Sequence, residues 1–400
     1  MQAIKNKLVS LNIDFVGKRR FFAAISVVLV IASWVSFVVI GPNWGIDFTG
    51  GTEMEFRFDQ DSKVSMDEIR EALIQLDFGD EALQSVNDPS LQQYAIRIND
   101  PKYGSGEMQQ QVRDILTKAY GDDWITGERV DAEVGVRMAI SYSGDYVAPK
   151  DVELALASMD GVSAEESKEN NQVVVKLPGL AQIIEQKLKQ QLPGKSFEII
   201  RSEAVGPKVG GDLKRAGFLS IAITLVLVLI YVAFRFDISF SPGAVVALFH
   251  DVSLTIGVFV LTNIGGQGLE VNLAIIGALL TIVGYSLNDT IVIYDRIREN
   301  TDRYRRKDLP ELVNVSINET MARTLATSVT TFLAISPFLL LGGNTIQTFA
   351  FAMLLGVIFG TYSTIYVASP TILVMQDVKP WLSKIVVLPS SGGAKDSDEG

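Results

Sequence analysis

Six long apolar runs, separated by segments of different polarity, set the frame of this 400-residue chain. They are Phe21–Ile40, Ala216–Phe234, Gly243–Thr262, Val271–Tyr294, Leu325–Leu341 and Phe349–Met375, the fifth being extended back to residue 321 by a more polar turn. At a helical rise of about 1.5 Å per residue, runs of this length cross a hydrocarbon core of about 30 Å, so the pattern predicts six membrane-spanning helices. Five basic residues, Lys5, Lys7, Lys18, Arg19 and Arg20, precede the first run, which reads as an uncleaved signal anchor. Its apolar stretch exceeds the roughly 7 to 15 residues of a cleaved signal, and Gly41-Pro42-Asn43-Trp44 does not offer a small-residue cleavage site. The connection Arg296–Lys307 carries six basic residues, whereas 263–270 and 342–347 carry none. By the positive-inside rule, residues 1–20, 296–319 and 376–400 are expected in the cytoplasm and 41–212 on the opposite side of the membrane. Within the basic segment, Pro310–Glu319 is expected to form a short interfacial helix, and the Gly/Ser-rich end, 390–400, to be disordered.

Residues 41–212 change period. Short alternating stretches are separated by amphipathic ones, which predicts an α+β domain. Strand 53–58, helix 66–76, strand 94–98, helix 107–120 and strand 127–136 form one βαβαβ series. Helix 149–159, strand 172–177, helix 181–191 and strand 196–205 form a second. Glu133-Val134-Gly135-Val136-Arg137-Met138 matches Ala204-Val205-Gly206-Pro207-Lys208-Val209 at an offset of 71 residues, so tandem subdomains over 50–138 and 140–210 are expected, with a linker at 140–147.

Composition sharpens this picture. Hydrophobic residues make up 48% of the chain, too many for an ordinary soluble enzyme. Charge is divided: Pro42–Asp212 holds 17 Lys and Arg against 31 Asp and Glu, net −14, while the remainder is net +3, for −11 in all. A domain so acidic does not neutralise phosphates, which argues against nucleic acid as a partner. With no cysteine and only His250, thiol chemistry and His/Cys metal sites are excluded. No GxxxxGK[ST] string occurs, which argues against nucleotide hydrolysis; no cofactor is called for, and the chain is expected not to be an enzyme.

The chemistry that remains lies in the apolar runs. Asp289 stands inside Val271–Tyr294, where Asn272 and Asn288 are the other strongly polar residues. A carboxylic acid there costs about 2.5 to 3.5 kcal/mol to insert, and marks an ion or proton pathway more often than not. On helical spacing Thr281, Tyr285, Asn288, Asp289, Val292 and Arg296 share a stripe expected to point into the bundle. Arg323 and Thr327, with Thr330 and Thr331, share a face of the fifth run at similar depth. A carboxylate moving toward and away from a guanidinium would load and release a proton; a static buried ion pair, or an Arg323 snorkelling to headgroups, fits the same residues. Asp251 and His250 are candidate relays in the third run, about 100° apart around the helix and so unable to face one partner squarely, against the plainer reading of a satisfied hydrogen-bonding histidine. Gly50-Gly51 and Gly206-Pro207 read as tight turns.

In combination these segments resemble the SecF family of bacterial protein-export membrane subunits. The resemblance rests on Gly45-Ile46-Asp47-Phe48-Thr49-Gly50-Gly51-Thr52, Val205-Gly206-Pro207-Lys208-Val209-Gly210, Phe249-His250-Asp251-Val252, Gly284–Asn300, and Arg323-Thr324 with Thr327-Ser328 and Thr330-Thr331. Glu319 stands where the family pattern leads one to expect Gln, and the external region is larger than usual. What the resemblance implies is one half of a resistance-nodulation-division type bundle in the bacterial inner membrane, with 41–212 in the periplasm, that pairs with SecD beside the SecYEG channel, a YajC-like accessory and membrane lipid. It would use the proton motive force to help unfolded preproteins finish crossing, with Asp289 as proton carrier and Arg323 as its counter-charge. A proton-driven small-molecule exporter of the same superfamily and a non-transporting scaffold are the alternatives.

Overall fold

In the computed structural model, which describes residues 13–375 apart from 63, 76–82, 86–91, 99–104, 132–136, 160, 168–170, 178–179, 237–239, 265–267 and 305, the chain forms two compact units. One comprises 1–43 with 216–400, the other 44–215. Lys5, Lys7, the segment Glu133–Val136 of the expected repeat and the tail 376–400 lie outside the described residues.

Among the described residues, six helices are long and apolar enough to cross a membrane. The first span is Arg19–Val39, the second belongs to helix Pro207–Arg235, and the third and fourth are Ser241–Thr262 and Leu273–Arg303. The fifth is Leu309–Leu341, and the sixth is Asn344–Ser363 continued by a π turn at Thr364–Ala368. The expected interfacial helix is therefore not separate: residues 310–319 are the first turns of the fifth helix, because no glycine or proline interrupts 311–336 and Thr320 Oγ1 bonds back to the Ser316 carbonyl at 2.8 Å. The fourth helix likewise runs to Arg303, so the basic segment 296–319 is mostly helical. Two asparagines at the start of the fifth helix hold the chain before the first span. Asn314 Oδ1 accepts from the Phe15 and Val16 amides, and Asn318 Oδ1 accepts from the Ile13 amide at 2.9 Å.

Small residues let these helices approach closely. A Cβ on Gly257 of the third span would stand 2.2 Å from Ser33 Oγ of the first, and one on Gly356 of the sixth 2.2 Å from Ile282 Cγ1 of the fourth. Gly243 leaves room for the Tyr294 hydroxyl, which donates to the Ala368 carbonyl at 3.1 Å inside the π turn.

The unit 44–215 holds two antiparallel four-stranded sheets. Strands β1 (Gly51–Phe58), β2 (Leu83–Ser85), β3 (Gln93–Ile98) and β8 (Phe197–Val205) form the first, in the order β2-β3-β1-β8. Met54, Phe56 and Phe58 alternate inward along β1, meeting Ile69 and Leu73 of helix Met66–Gln75 and Ile184 and Leu188 of helix Leu180–Gln191, the four-residue spacing of one helix face. Glu53 of β1 faces Arg97 of β3 at 3.7 Å; burial pushes the carboxyl up and the guanidinium down from their ordinary ranges. The second sheet joins β4 (Ile125–Asp131), β5 (Arg137–Tyr142), β6 (Ser163–Glu166) and β7 (Gln172–Lys176) in the order β4-β5-β7-β6. Its core sets Met138, Ile140 and Tyr142 against Val173, Val175, Val112 and Leu116, with Trp124 stacked between Tyr120 and Tyr142 at 4.6 and 4.9 Å.

The subdomains are thus nested, not tandem. Strand β8, expected to close the second unit, pairs with β1 along its whole length, from Gly51↔Val205 to Phe58↔Phe197, and the second sheet is an insertion between β3 and helix Leu180–Gln191. The expected linker at 140–147 begins inside β5, whose Ile140 and Tyr142 are core residues. The glycine motifs meet within this unit. Gly50 and Gly51 take φ of +74° and +122° where helix Ile46–Thr49 turns into β1, and a Cβ on Gly210 would come within 2.8 Å of the Gly50 nitrogen. Gly45 and Asp47 bracket the start of the short helix, and Gly206 precedes Pro207, the first residue of the second span's helix.

Because every residue of the second core lies between 112 and 177, the fragment 105–177 is expected to unfold cooperatively on its own, and Leu116→Ala within it to cost about 2 to 5 kcal/mol. Thermal melts followed at the Trp124 near-ultraviolet band check this; a broad melt indifferent to the substitution contradicts the nested division.

Candidate functional site

The fourth span begins at Asn272, whose side chain caps the Ile275 amide, and buries one continuous face that includes Ile282, Ser286, Asp289, Ile293 and Asn300. Asp289 is only 2% exposed. Its Oδ1 accepts from Thr327 Oγ1 of the fifth span at 3.3 Å, and its buried Oδ2 has no hydrogen-bond partner. The Thr327 hydroxyl also reaches the Thr324 carbonyl at 2.8 Å and the Arg323 carbonyl at 3.2 Å. One hydroxyl proton cannot serve three acceptors, so the arrangement has two settings. An ionised Asp289 draws the threonine proton to itself. A protonated Asp289 donates to Thr327 Oγ1, which then returns its own proton to the backbone.

The other members of the expected pathway sit differently. Asn288 and Thr281 are exposed on the outer side of the fourth span, so the polar stripe does not point into the bundle; the buried face lies one step around the helix. Arg323 is exposed, one turn before Thr327. The described ion pairs of this unit's carboxylates with arginine and lysine join Arg235 to Asp295, Arg296 to Glu299 and Glu319, and Lys307 to Glu311, and none joins Arg323 to Asp289. Of the arrangements open for Arg323, the static buried ion pair is therefore not the one formed.

Inside the bundle the centre of polarity is Asp251, fully buried on the third span. Its Oδ2 accepts from Ser286 Oγ of the fourth span at 2.7 Å and from Ser363 Oγ of the sixth at 2.8 Å, and its Oδ1 lies 2.9 Å from His250 Nδ1. The adjacent pair expected to diverge around the helix thus bond each other. His250 lies over the Tyr362 ring, and Tyr362 Oη reaches Ser26 Oγ at 3.0 Å and the Phe22 carbonyl at 3.1 Å on the first span. A further bridge joins Thr290 to Thr364 at 3.1 Å. Ser286, Ser363, Thr290 and Thr364 were not among the expected site residues. The readable signal for them was the Gly356-x-x-x-Gly360-x-x-Ser363 spacing, since a Cβ on Gly360 would stand 3.0 Å from Ser286 Cβ.

A third cluster ties the basic ends of the fourth and fifth helices. Glu319 Oε2 accepts from Arg296 Nε at 2.6 Å and from Asn300 Nδ2 at 2.8 Å, which gives the acid at this position a partner that a glutamine would serve without charge. Among the described residues, no group of three or more His, Cys, Asp or Glu side chains converges as a metal site.

Comparison with known proteins gives a consistent result. The family model for the C-terminal region of the protein export membrane proteins SecD and SecF matches residues 183–378, and that for the SecD/SecF GG motif matches 35–62. The chain is similar to the protein translocase subunit SecF of Petrotoga mobilis, 33% identical over 91% of this chain and 96% of that one. It is 34% identical to that of Rhodobacter capsulatus over 93% and 92%. The crystal structure of SecDF, a translocon-associated membrane protein of Thermus thermophilus, aligns with 91% of this chain at 29% identity and a TM-score of 0.61; the chain spans 39% of that larger protein. SecDF in its super-membrane-facing form aligns at 28% identity and a TM-score of 0.54, covering 93% of this chain and 40% of that one.

Ser363→Ala removes a donor from a buried carboxylate and is expected to cost about 1.5 to 3 kcal/mol, against less than about 0.5 kcal/mol for exposed Thr281→Ala. Unfolding midpoints of the purified variants in one detergent check the ordering. Gly356→Val, which drives a side chain into Ile282, is expected to exceed both.

Proposed function

The chain belongs to the SecF family of protein translocase subunits, a multi-pass bacterial membrane family, and from that premise we propose that it couples the proton motive force to preprotein export. In this reading it is not an enzyme and holds no cofactor. It pairs with SecD beside the SecYEG channel, with a YajC-like accessory alongside, keeps both termini in the cytoplasm and carries residues 41–212 in the periplasm.

The observation that supports it is the state of Asp289. A buried carboxyl in an apolar helix bundle, with one oxygen on a shared threonine hydroxyl and the other without a donor, changes its hydrogen bonding with protonation and connects two spans as it does so. Asn288 and Arg323 lie on the neighbouring exposed surface, which fits a face completed by a second six-span half. Approach of Arg323 would favour the ionised acid, and its withdrawal the protonated one. One charge moved through 100 mV is worth about 2.3 kcal/mol. Inverting a two-state equilibrium from 1:99 to 99:1 takes about 5.5 kcal/mol, so two or three protons supply a complete switch of an external domain. Asp251, met by Ser286, Ser363 and His250, serves in this reading as structural support, with His250, whose buried Nε2 has no partner, as the candidate relay. An exporter of small molecules and a passive scaffold are separated from this reading by the same test.

In vesicles where ATP-driven translocation has begun and ATP is then withdrawn, completion is expected to need both the proton gradient and Asp289. Asp289→Asn should abolish the gradient-dependent rate with the chain still folded. Insensitivity to a protonophore alongside a blocked Asp289→Asn variant would make the carboxyl structural. Arg323→Leu is expected to lose activity; full activity in Arg323→Lys assigns the role to charge alone.

A further inference from the structure

Where the first, third and sixth spans meet, a cavity of about 510 Å³ opens along their surface, within the range of about 300 to 1,000 Å³ typical of ligand sites. Its lining is segregated. Arg19 and Arg20 stand at the start of the first span, and apolar residues including Val27, Val30 and Ile31 line the groove further along it. His250 also lines it. That ring is 3% exposed, its Nδ1 is engaged by Asp251, and its buried Nε2 has no hydrogen-bond partner. The bonds from Tyr362, which lies against His250, to Phe22 and Ser26 put this ring level with residues three to seven positions beyond Arg19. At 1.5 Å per residue that is about 5 to 10 Å deeper than the arginine pair.

A phospholipid has this same order. An anionic phosphate lies in a headgroup layer about 5 to 8 Å deep, polar glycerol esters lie beneath it, and an acyl chain follows. Two guanidiniums suit a negative headgroup, and Arg presents paired donors to phosphate oxygens. We infer that the groove between the first, third and sixth spans is a site for one anionic phospholipid, its phosphate at Arg19 and Arg20, its ester region at His250 and one acyl chain along Val27, Val30 and Ile31. The site rests on the helices lying in a bilayer and not on proton coupling at Asp289, so either can fail alone.

The test uses the full chain in detergent micelles doped with equal amounts of phosphatidylglycerol and phosphatidylcholine of matched acyl chains, with retained lipid counted by native mass spectrometry. One phosphatidylglycerol per chain is expected, preferred over phosphatidylcholine by roughly tenfold or more. Arg19→Gln with Arg20→Gln is expected to bring that preference below about twofold while the unfolding midpoint holds. Val30→Trp, which fills the apolar part, is expected to lose both lipids. Equal retention of the two lipids by the unaltered chain, or phosphatidylglycerol retention unchanged in Val30→Trp, overturns the site.

Discussion

A carboxylate with no exposure to solvent, set among apolar helices, imposes the order on this membrane unit. Asp251 has to be met on every side by donors, and those donors come from different segments: Ser286 from the fourth span, Ser363 from the sixth, and His250 from its own helix. Hydrogen bonds to a charged group are worth about 1.5 to 3 kcal/mol each, whereas an unmet buried charge costs more than that. The three helices can therefore satisfy Asp251 only in one mutual register. Gly356 and Gly360 serve this register, since a side chain at either would hold the sixth span off Ile282 and Ser286.

Asp289 is built on the opposite rule. It sits on the same fourth helix three residues after Ser286, yet one of its oxygens lacks a donor and the other competes with two carbonyls for a single hydroxyl proton. A group so incompletely satisfied has two comparable hydrogen-bonding states, while a saturated one has one. The rigid polar centre and the adjustable one thus share a helix, and a change at Asp289 is referred to a backbone that Asp251 holds in place.

How much of this was readable beforehand follows from the range of the interactions. The spans were legible because length and polarity are local properties; Asp289 stood out for the same reason, one acid in an apolar run. Charge alone suggests a break at 296–319, yet charged residues at a helix end remain helical when nothing interrupts them. Strand partners were not legible. Gly51 and Val205 pair across more than 150 positions, and nothing in the local alternation of β8 distinguishes pairing with β1 from pairing with β7. Within 140–147 the turn tendency of Ser143 and Gly144 is local, whereas the burial of Ile140 and Tyr142 depends on the strands that pair with β5. Periodicity placed Asp251 on a buried helix, but which hydroxyls would reach it depended on the crossing of three helices.

The pairing of β1 with β8 also fixes how the outer unit yields under load. Gly51 begins one strand and Val205 ends the other, and the two sit opposite each other at the same end of the ribbon. Tension drawn between the residues on either side of this pair falls on one ladder bond at a time, as in a zipper, instead of on all of them in shear. Strand β8 is an edge strand with most of its side chains exposed, so peeling it leaves β1 still paired with β3 and most of the first core still covered. The fold is thereby mechanically soft along this seam.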